Sequence, residues 1–262
     1  MLTLLKALHE SETEINGRVY FVTNNEARST HECTRDLLPE LGERLDRGLL
    51  LIGGGNVIKT GNRGRVDVLV HIEDEVAHSS SPSDGHNDIE GAKEVMNRTD
   101  GIDFEKTHPR LDTPHAKPYQ LTFEPVAPHT FPESARFKID RRLLPSDTVE
   151  DAVQEIEAAI SDMSPYDVRV ERDVVMEPSL VDPGDPIVEG LQQSIESIDG
   201  SRAESVDIRG AFDAGGLTNE GIPTVMWGRP EHGEHIMCDD YVSIRGVEEE
   251  ARIVGRLVDD FL

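Results

Sequence analysis

Residues 65–76, RVDVLVHIEDEV, place an apolar side chain at every second position, which predicts a strand with one face in a core. YQLTFEPV (119–126), ARFKIDRRL (135–143) and YDVRVERDVV (166–175) read as three more strands. Between them the spacing turns helical. One helix is expected around 87–97, and a loop rich in Pro, His and Asp follows over 103–118. A second helix begins at Thr148, with Val149, Val153, Ile156 and Ile160 on one stripe. The order β-α-β-β-α-β is a split βαβ, ferredoxin-like unit.

The flanking segments have a different style. RVYFVTN (18–24) predicts a strand, followed by a helix with Ser29 and Glu32 in capping-box spacing and Leu37, Leu38 and Leu41 on one face. RGLLLIGGG (47–55) predicts a short buried strand ending in glycines. After DPGDP (182–186) come a helix to about Ile198, a buried strand GIPTVMWG (221–228) and a closing amphipathic helix, GVEEEARIVGRLVDDFL (246–262). Ile253, Val254, Leu257, Val258 and Phe261 make the apolar stripe of that helix. The fold class is therefore α/β, with a unit of residues 62–176 inserted into a domain built from 1–61 and 177–262. There is no internal repeat and no low-complexity tract.

Charge narrows the partners. Among 262 residues, 52 are acidic and 26 basic, a formal charge of −26, and only six of the basic residues are lysine. Such a field repels phosphate backbones and anionic lipid, so neither nucleic acid nor a membrane surface is expected as a partner. Apolar periodicity from end to end separates the chain from acidic disordered sequences. The carboxylate excess predicts a halophilic surface, adapted to high salt that screens its self-repulsion. Two cysteines, Cys33 and Cys238, form no disulfide framework and fit a reducing compartment. MLTLLKALHE is too short and too soon charged for a signal peptide, and no apolar run approaches the roughly 20 residues of a membrane span. A cytoplasmic, soluble protein is expected.

Three blocks carry a resemblance: VAHSSSPSDGHNDIEGA (76–92), FKIDRRLLPSDTVEDAVQEIEAAI (137–160), and AFDAGGLTNEGIPTVMWG (211–228) with GEHIMCDDYVSI (233–244). In this order they resemble the zinc-dependent amidohydrolases and exopeptidases that include carboxypeptidase G, acetylornithine deacetylase and succinyl-diaminopimelate desuccinylase. His78, Ser79, Pro82, Gly85 and Asn87 fall at that family's spacing. The resemblance implies a zinc-peptidase-like catalytic α/β domain interrupted by a dimerisation lid, and hence a homodimer. It implies that His78 reaches the partner subunit's active site, where it would help hold the oxyanion of a tetrahedral amide intermediate. Arg142 would grip a substrate carboxylate by a bidentate pair, with Asn87 also on the substrate side. His235 would be the last metal ligand, while Asp240 stands where glutamate is usual and Asp213 shapes the site. Zinc or another divalent metal is the implied cofactor, and a small N-acyl amino acid or peptide the implied substrate.

The same resemblance marks departures. A His-x-Asp stretch and a bridging aspartate are expected before residue 1, which makes the catalytic domain incomplete. The Glu-Glu pair that supplies base and ligand reads TNNEARST here. In one register Glu26 is the ligand and Asn25 replaces the base; in the other Glu26 is the base and Ala27 replaces the ligand. Gly54 stands where a further acidic ligand is expected. An amide or a methyl group accepts no proton at neutral pH, and two ligands fall short of a catalytic zinc site. The expectation is a metal-dependent amide hydrolase in impaired form. The alternatives are a non-catalytic dimerising remnant and one half of a split enzyme.

Overall fold

The computed structural model describes residues 2–10, 15–23, 32–52, 56–73, 77–81, 86–229 and 243–261. The chain opens with α1 (Leu2–Glu10), α2 (Glu32–Leu41) and a 3-10 turn (Gly42–Arg44). Strands β1 (Gly48–Leu51), β2 (Val57–Asn62), β3 (Gly64–Glu73) and β4 (Ala77–His78) follow, then α3 (Asp88–Asp100). Next come β5 (Ala116–Glu124), β6 (Thr130–Phe131), β7 (Ser134–Leu143), α4 (Val149–Ala159) and β8 (Asp167–Met176). The last elements are β9 (Ser179–Leu180), α5 (Pro186–Asp199), β10 (Glu204–Ile208), α6 (Ala214–Thr218), β11 (Thr224–Trp227) and α7 (Ile244–Phe261). No described helix is long and apolar enough to cross a membrane.

Two compact units result. One comprises Met1–Asn62, Ser179–Ile208 and Phe212–Leu262; the other comprises Arg63–Pro178 and Arg209–Ala211. The first is built on a sheet in the order β1-β11-β2-β10, with β9 also on β2. β1 runs parallel to β11 and β10 parallel to β2, as expected where helices carry the crossovers. Asn62 pairs with Ser179, so the strands that leave this sheet and return to it lie side by side. Its core joins Ile58, Val225 and Trp227 of the sheet to Val188, Leu191 and Ile195 of α5 and Ile253 and Leu257 of α7. Local signals delimit α5: Asp185 caps it by accepting from the Ile187 N–H at 3.0 Å, Pro186 opens it, and Gly200 ends it at φ 74°.

The second unit holds a four-stranded antiparallel sheet, β5-β7-β3-β8, and a two-stranded ribbon, β4-β6. Alternation along β3 and β7 sends Val66, Val68, Val70, Ile72, Phe137 and Ile139 to one face, where they pack with Ala92 and Val95 of α3 and Ala152 and Ile156 of α4. The opposite face carries Arg65, Asp67, Lys138, Asp140 and Arg142, with Asp67 directly across from Asp140 and Arg65 across from Arg142. Thr148 caps α4, its hydroxyl accepting from the Asp151 N–H at 3.0 Å. One charged residue breaks the apolar face: Arg141 is 1% exposed, its guanidinium 4.6 Å from the Phe104 ring centroid.

The segment read as a strand at 18–24 differs from expectation. Residues 18–23 have no strand pairing among the described residues, and Val19 and Val22 stay exposed. An alternating pattern makes a strand only where a neighbouring strand takes its hydrogen bonds. β2, β9, β10 and α6 are elements that the apolar pattern does not predict.

Candidate functional site

His78 ends β4. The ribbon pairs His78 with Thr130 and Ala77 with Phe131, and the Ser79 N–H donates to the His129 carbonyl at 2.8 Å. A tight turn follows, with the Ser81 N–H donating to the His78 carbonyl at 2.8 Å. Inside this turn the imidazole Nδ1 lies 2.7 Å from Ser80 Oγ and 3.2 Å from the Ser80 backbone nitrogen. The His129 ring stacks on it at 6.1 Å between centroids and 30° between planes, from a backbone in the left-handed region at φ 56°. The His78 side chain is exposed. A short ribbon therefore holds out one imidazole with a supported flank.

Arg142 lies near the end of β7. Its guanidinium donates to Asp140 Oδ2 at 2.7 Å, and its backbone N–H donates to the His115 carbonyl at 2.8 Å. Both side chains are largely covered, at 17% and 18% exposure, and Arg142 Nε has no hydrogen-bond partner among the described residues. Arg63 stands nearby, its Nε donating to the Arg209 carbonyl at 3.1 Å and a terminal nitrogen to the Thr113 carbonyl at 2.9 Å. Burial, and then repulsion by Arg142 and Arg209, hold the Arg63 guanidinium below its usual value. Burial and then Arg63 also hold the His115 imidazole below its ordinary range, so that ring is neutral at neutral pH. The cluster presents fixed positive charge beside an uncharged ring, an environment suited to an anionic group.

Asn87 serves the backbone. Its side-chain oxygen accepts from the Ile89 N–H at 3.1 Å and caps α3. Glu26 and His235, the residues expected at a metal, lie outside the described residues, as do Asn25, Ala27, Gly54 and Asp240. Among the described residues no group of three or more His, Cys, Asp and Glu side chains could hold a metal ion. Thus His78 is grouped with Ser80 and His129, and Arg142 with Asp140, Arg63 and His115. Of these, Ser80, His129, Asp140, Arg63 and His115 were not anticipated as site residues. Only the pairing of β4 with β6 brings His129 to His78, and no local spacing signals it.

Comparisons with known proteins bear on the fold. Residues 60–168 match the family described as the peptidase dimerisation domain. No curated protein sequence matches the chain. Among solved structures, the aminopeptidase PepT from Bacillus cereus superposes with a TM-score of 0.65 at 18% identity, over 84% of this chain and 58% of that one. Human carnosine dipeptidase 1 gives 0.64 at 14% identity, over 87% and 62%. An M20 family metallo-carboxypeptidase from Sulfolobus solfataricus gives 0.70 at 12% identity, over 86% and 66%. The chain spans less than two thirds of the length of each of these structures. Residues 60–168 thus match the peptidase dimerisation domain family, in a chain whose fold is similar to that of these peptidase structures.

Proposed function

We propose that this chain is an M20-type metal-dependent hydrolase of amide bonds, acting on N-acyl amino acids or short peptides, with a weakened metal site. The observation that carries the reading is His78, held out on the β4-β6 ribbon of a peptidase dimerisation domain. A donor so placed serves a developing oxyanion in a partner subunit. Arg142, pre-oriented by Asp140, would meet the substrate's free carboxylate. A divalent metal such as zinc, for which Glu26 and His235 are the candidate ligands, would supply an activated water. Asn25 or Ala27, and Gly54, each lack a carboxylate that such a site needs, which is why turnover is expected to be low.

We assign dimerisation to the β5 edge. The exposed large apolar residues of this unit are Ile89 on α3, Tyr119 and Leu121 on β5, and Val126 just beyond it, and α3 packs beside β5. The other edge, β8, carries Asp167, Arg169, Glu171, Arg172 and Asp173, the kind of charged edge that resists pairing. The charge and cysteine content support a salty, reducing cytoplasm as its setting.

Protein purified in molar salt tests the proposal by its bound zinc and by hydrolysis of N-acyl amino acids and dipeptides. Measurable turnover that disappears in His78→Gln is the expected result. A stable dimer with neither zinc nor turnover would replace this reading with a second one, a non-catalytic dimer. The carboxylates missing at Asn25 or Ala27 and at Gly54 favour that second reading.

A further inference from the structure

We propose that Ser80 is a positioning residue that locks His78 in the tautomer carrying its proton on Nε2, so that the exposed edge of the ring is a hydrogen-bond donor. The catalytic consequence rests on the hydrolase reading above; the tautomer does not. A backbone N–H can only donate, and the Ser80 N–H points at His78 Nδ1 at 3.2 Å. Nδ1 must therefore offer its lone pair, and in the neutral ring the proton sits on Nε2. The Ser80 hydroxyl, 2.7 Å from the same nitrogen, then donates as well.

Three features hold this arrangement. The turn bond from the Ser81 N–H to the His78 carbonyl, at 2.8 Å, keeps Ser80 folded back toward the His78 ring. The His129 ring lies beside it, with 6.1 Å between centroids. A half-turn of the imidazole about its Cβ–Cγ bond would set a C–H against two donors, losing both hydrogen bonds. His78 thus reaches outward with one group only, Nε2–H. A donor of fixed sense matches an oxygen that gains negative charge, and would not serve as a base toward a neutral nucleophile.

Long-range 15N NMR of the full-length protein near neutral pH tests this, with His78→Gln assigning the signal by its loss. Wild-type protein should show Nδ1 bare and Nε2 protonated. Ser80→Ala loses the 2.7 Å hydroxyl bond but keeps the longer 3.2 Å backbone bond, so it should raise the Nδ1-protonated tautomer to a detectable minor share without displacing the major one, and Ser80→Thr should restore the wild-type pattern. A wild-type ring protonated on Nδ1, or a Ser80→Ala ring identical to wild type, overturns the proposal. Where turnover is measurable, Ser80→Ala should lower kcat on the order of tenfold with little change in KM, and Ser80→Thr should recover it. Turnover insensitive to Ser80 while the NMR pattern shifts would sink the catalytic role and leave the tautomer lock standing. Absence of any turnover would count against the hydrolase reading alone.

Discussion

Tyr119 donates its hydroxyl hydrogen to Asp67 Oδ2 at 2.8 Å, reaching from β5 to β3 across the intervening strand β7. Asp67 is 1% exposed, and Arg65 pairs with its other oxygen at 3.0 Å. Burial pushes the Asp67 carboxyl up, and the Tyr119 bond pulls it back down. Burial and then the bond to Asp67 push the Tyr119 phenol up to about 12.

The pH dependence follows from these directions. A raised phenol contributes stability that is full below the ordinary tyrosine value and is lost as pH rises through about 12. An ultraviolet titration of the four tyrosines should show one late phenol, absent in Tyr119→Phe. The raised Asp67 favours the fold most at acid pH, and its ionisation costs stability as pH climbs. Tyr119→Phe should therefore cost about 1–2 kcal/mol at neutral pH and less near pH 4. An equal loss at both, measured by urea denaturation, would disprove the coupling.

Association should respond to one sheet edge. Val126 is 93% exposed, so Val126→Asp leaves the monomer fold untouched while placing a charge at the proposed interface. Combined with Leu121→Asp, it should convert a dimer to a monomer in sedimentation velocity. Glu171→Gln on β8 should not. The reverse pattern would assign the interface to the wrong edge.

Gly64 stands where a side chain has no room. A Cβ there would lie 2.7 Å from the Met176 carbonyl oxygen and 2.7 Å from the Pro178 nitrogen, both backbone atoms that cannot rotate away. Gly64→Ala is expected to destabilise by about 1–3 kcal/mol, read as a lower denaturation midpoint at unchanged m-value.

The Arg141 guanidinium is a buried charge with dedicated partners. Glu155 accepts from it at 2.7 Å and Asp147 lies at 3.4 Å, while Asp147 also accepts from Lys106 at 2.9 Å and from the Leu144 N–H at 3.1 Å. The Asp147 carboxylate raises the Lys106 ammonium above its usual value. Arg141→Ala should cost about 2–5 kcal/mol, chiefly because it opens a void beside Phe104, Asp147 keeping its Lys106 and Leu144 partners. Arg141→Met fills the space and should cost less. A larger loss for Met than for Ala would refute this account.

Salt should act on the whole molecule. With a formal charge of −26, thermal midpoints should rise between low and molar potassium chloride as screening relieves repulsion. A flat response would remove the salt-adaptation reading.

Much of the fold was legible where burial is one-sided. In β3 and β7 every second residue enters the core, so the pattern survives translation into structure. β2 escaped because it is central yet puts Lys59, Thr60 and Asn62 inside, where neighbouring polar groups rather than oil surround them; Asp207, for one, takes the Thr60 hydroxyl at 3.2 Å. RVYFVTN misled for the opposite reason, since its apolar residues 19–22 find no partner strand among the described residues. At the site, the spacing around His78 was visible. Ser80 lay in plain sight within the same block, yet its bond to the ring depends on how the turn folds back. Arg63 and His115 gather beside Arg142 through pairing across strands and loops, which a linear string does not encode.

The pairing of Asn62 with Ser179 has a consequence for how the chain tolerates its own complexity. Because departure and return points are ladder neighbours, the host sheet experiences the 63–178 excursion as little more than a hairpin connection. Closure entropy grows only with the logarithm of loop length, and a self-folded insert lessens even that. Trimming, swapping or duplicating the excursion therefore costs the host little, which makes such a junction a natural place for evolution to exchange whole modules.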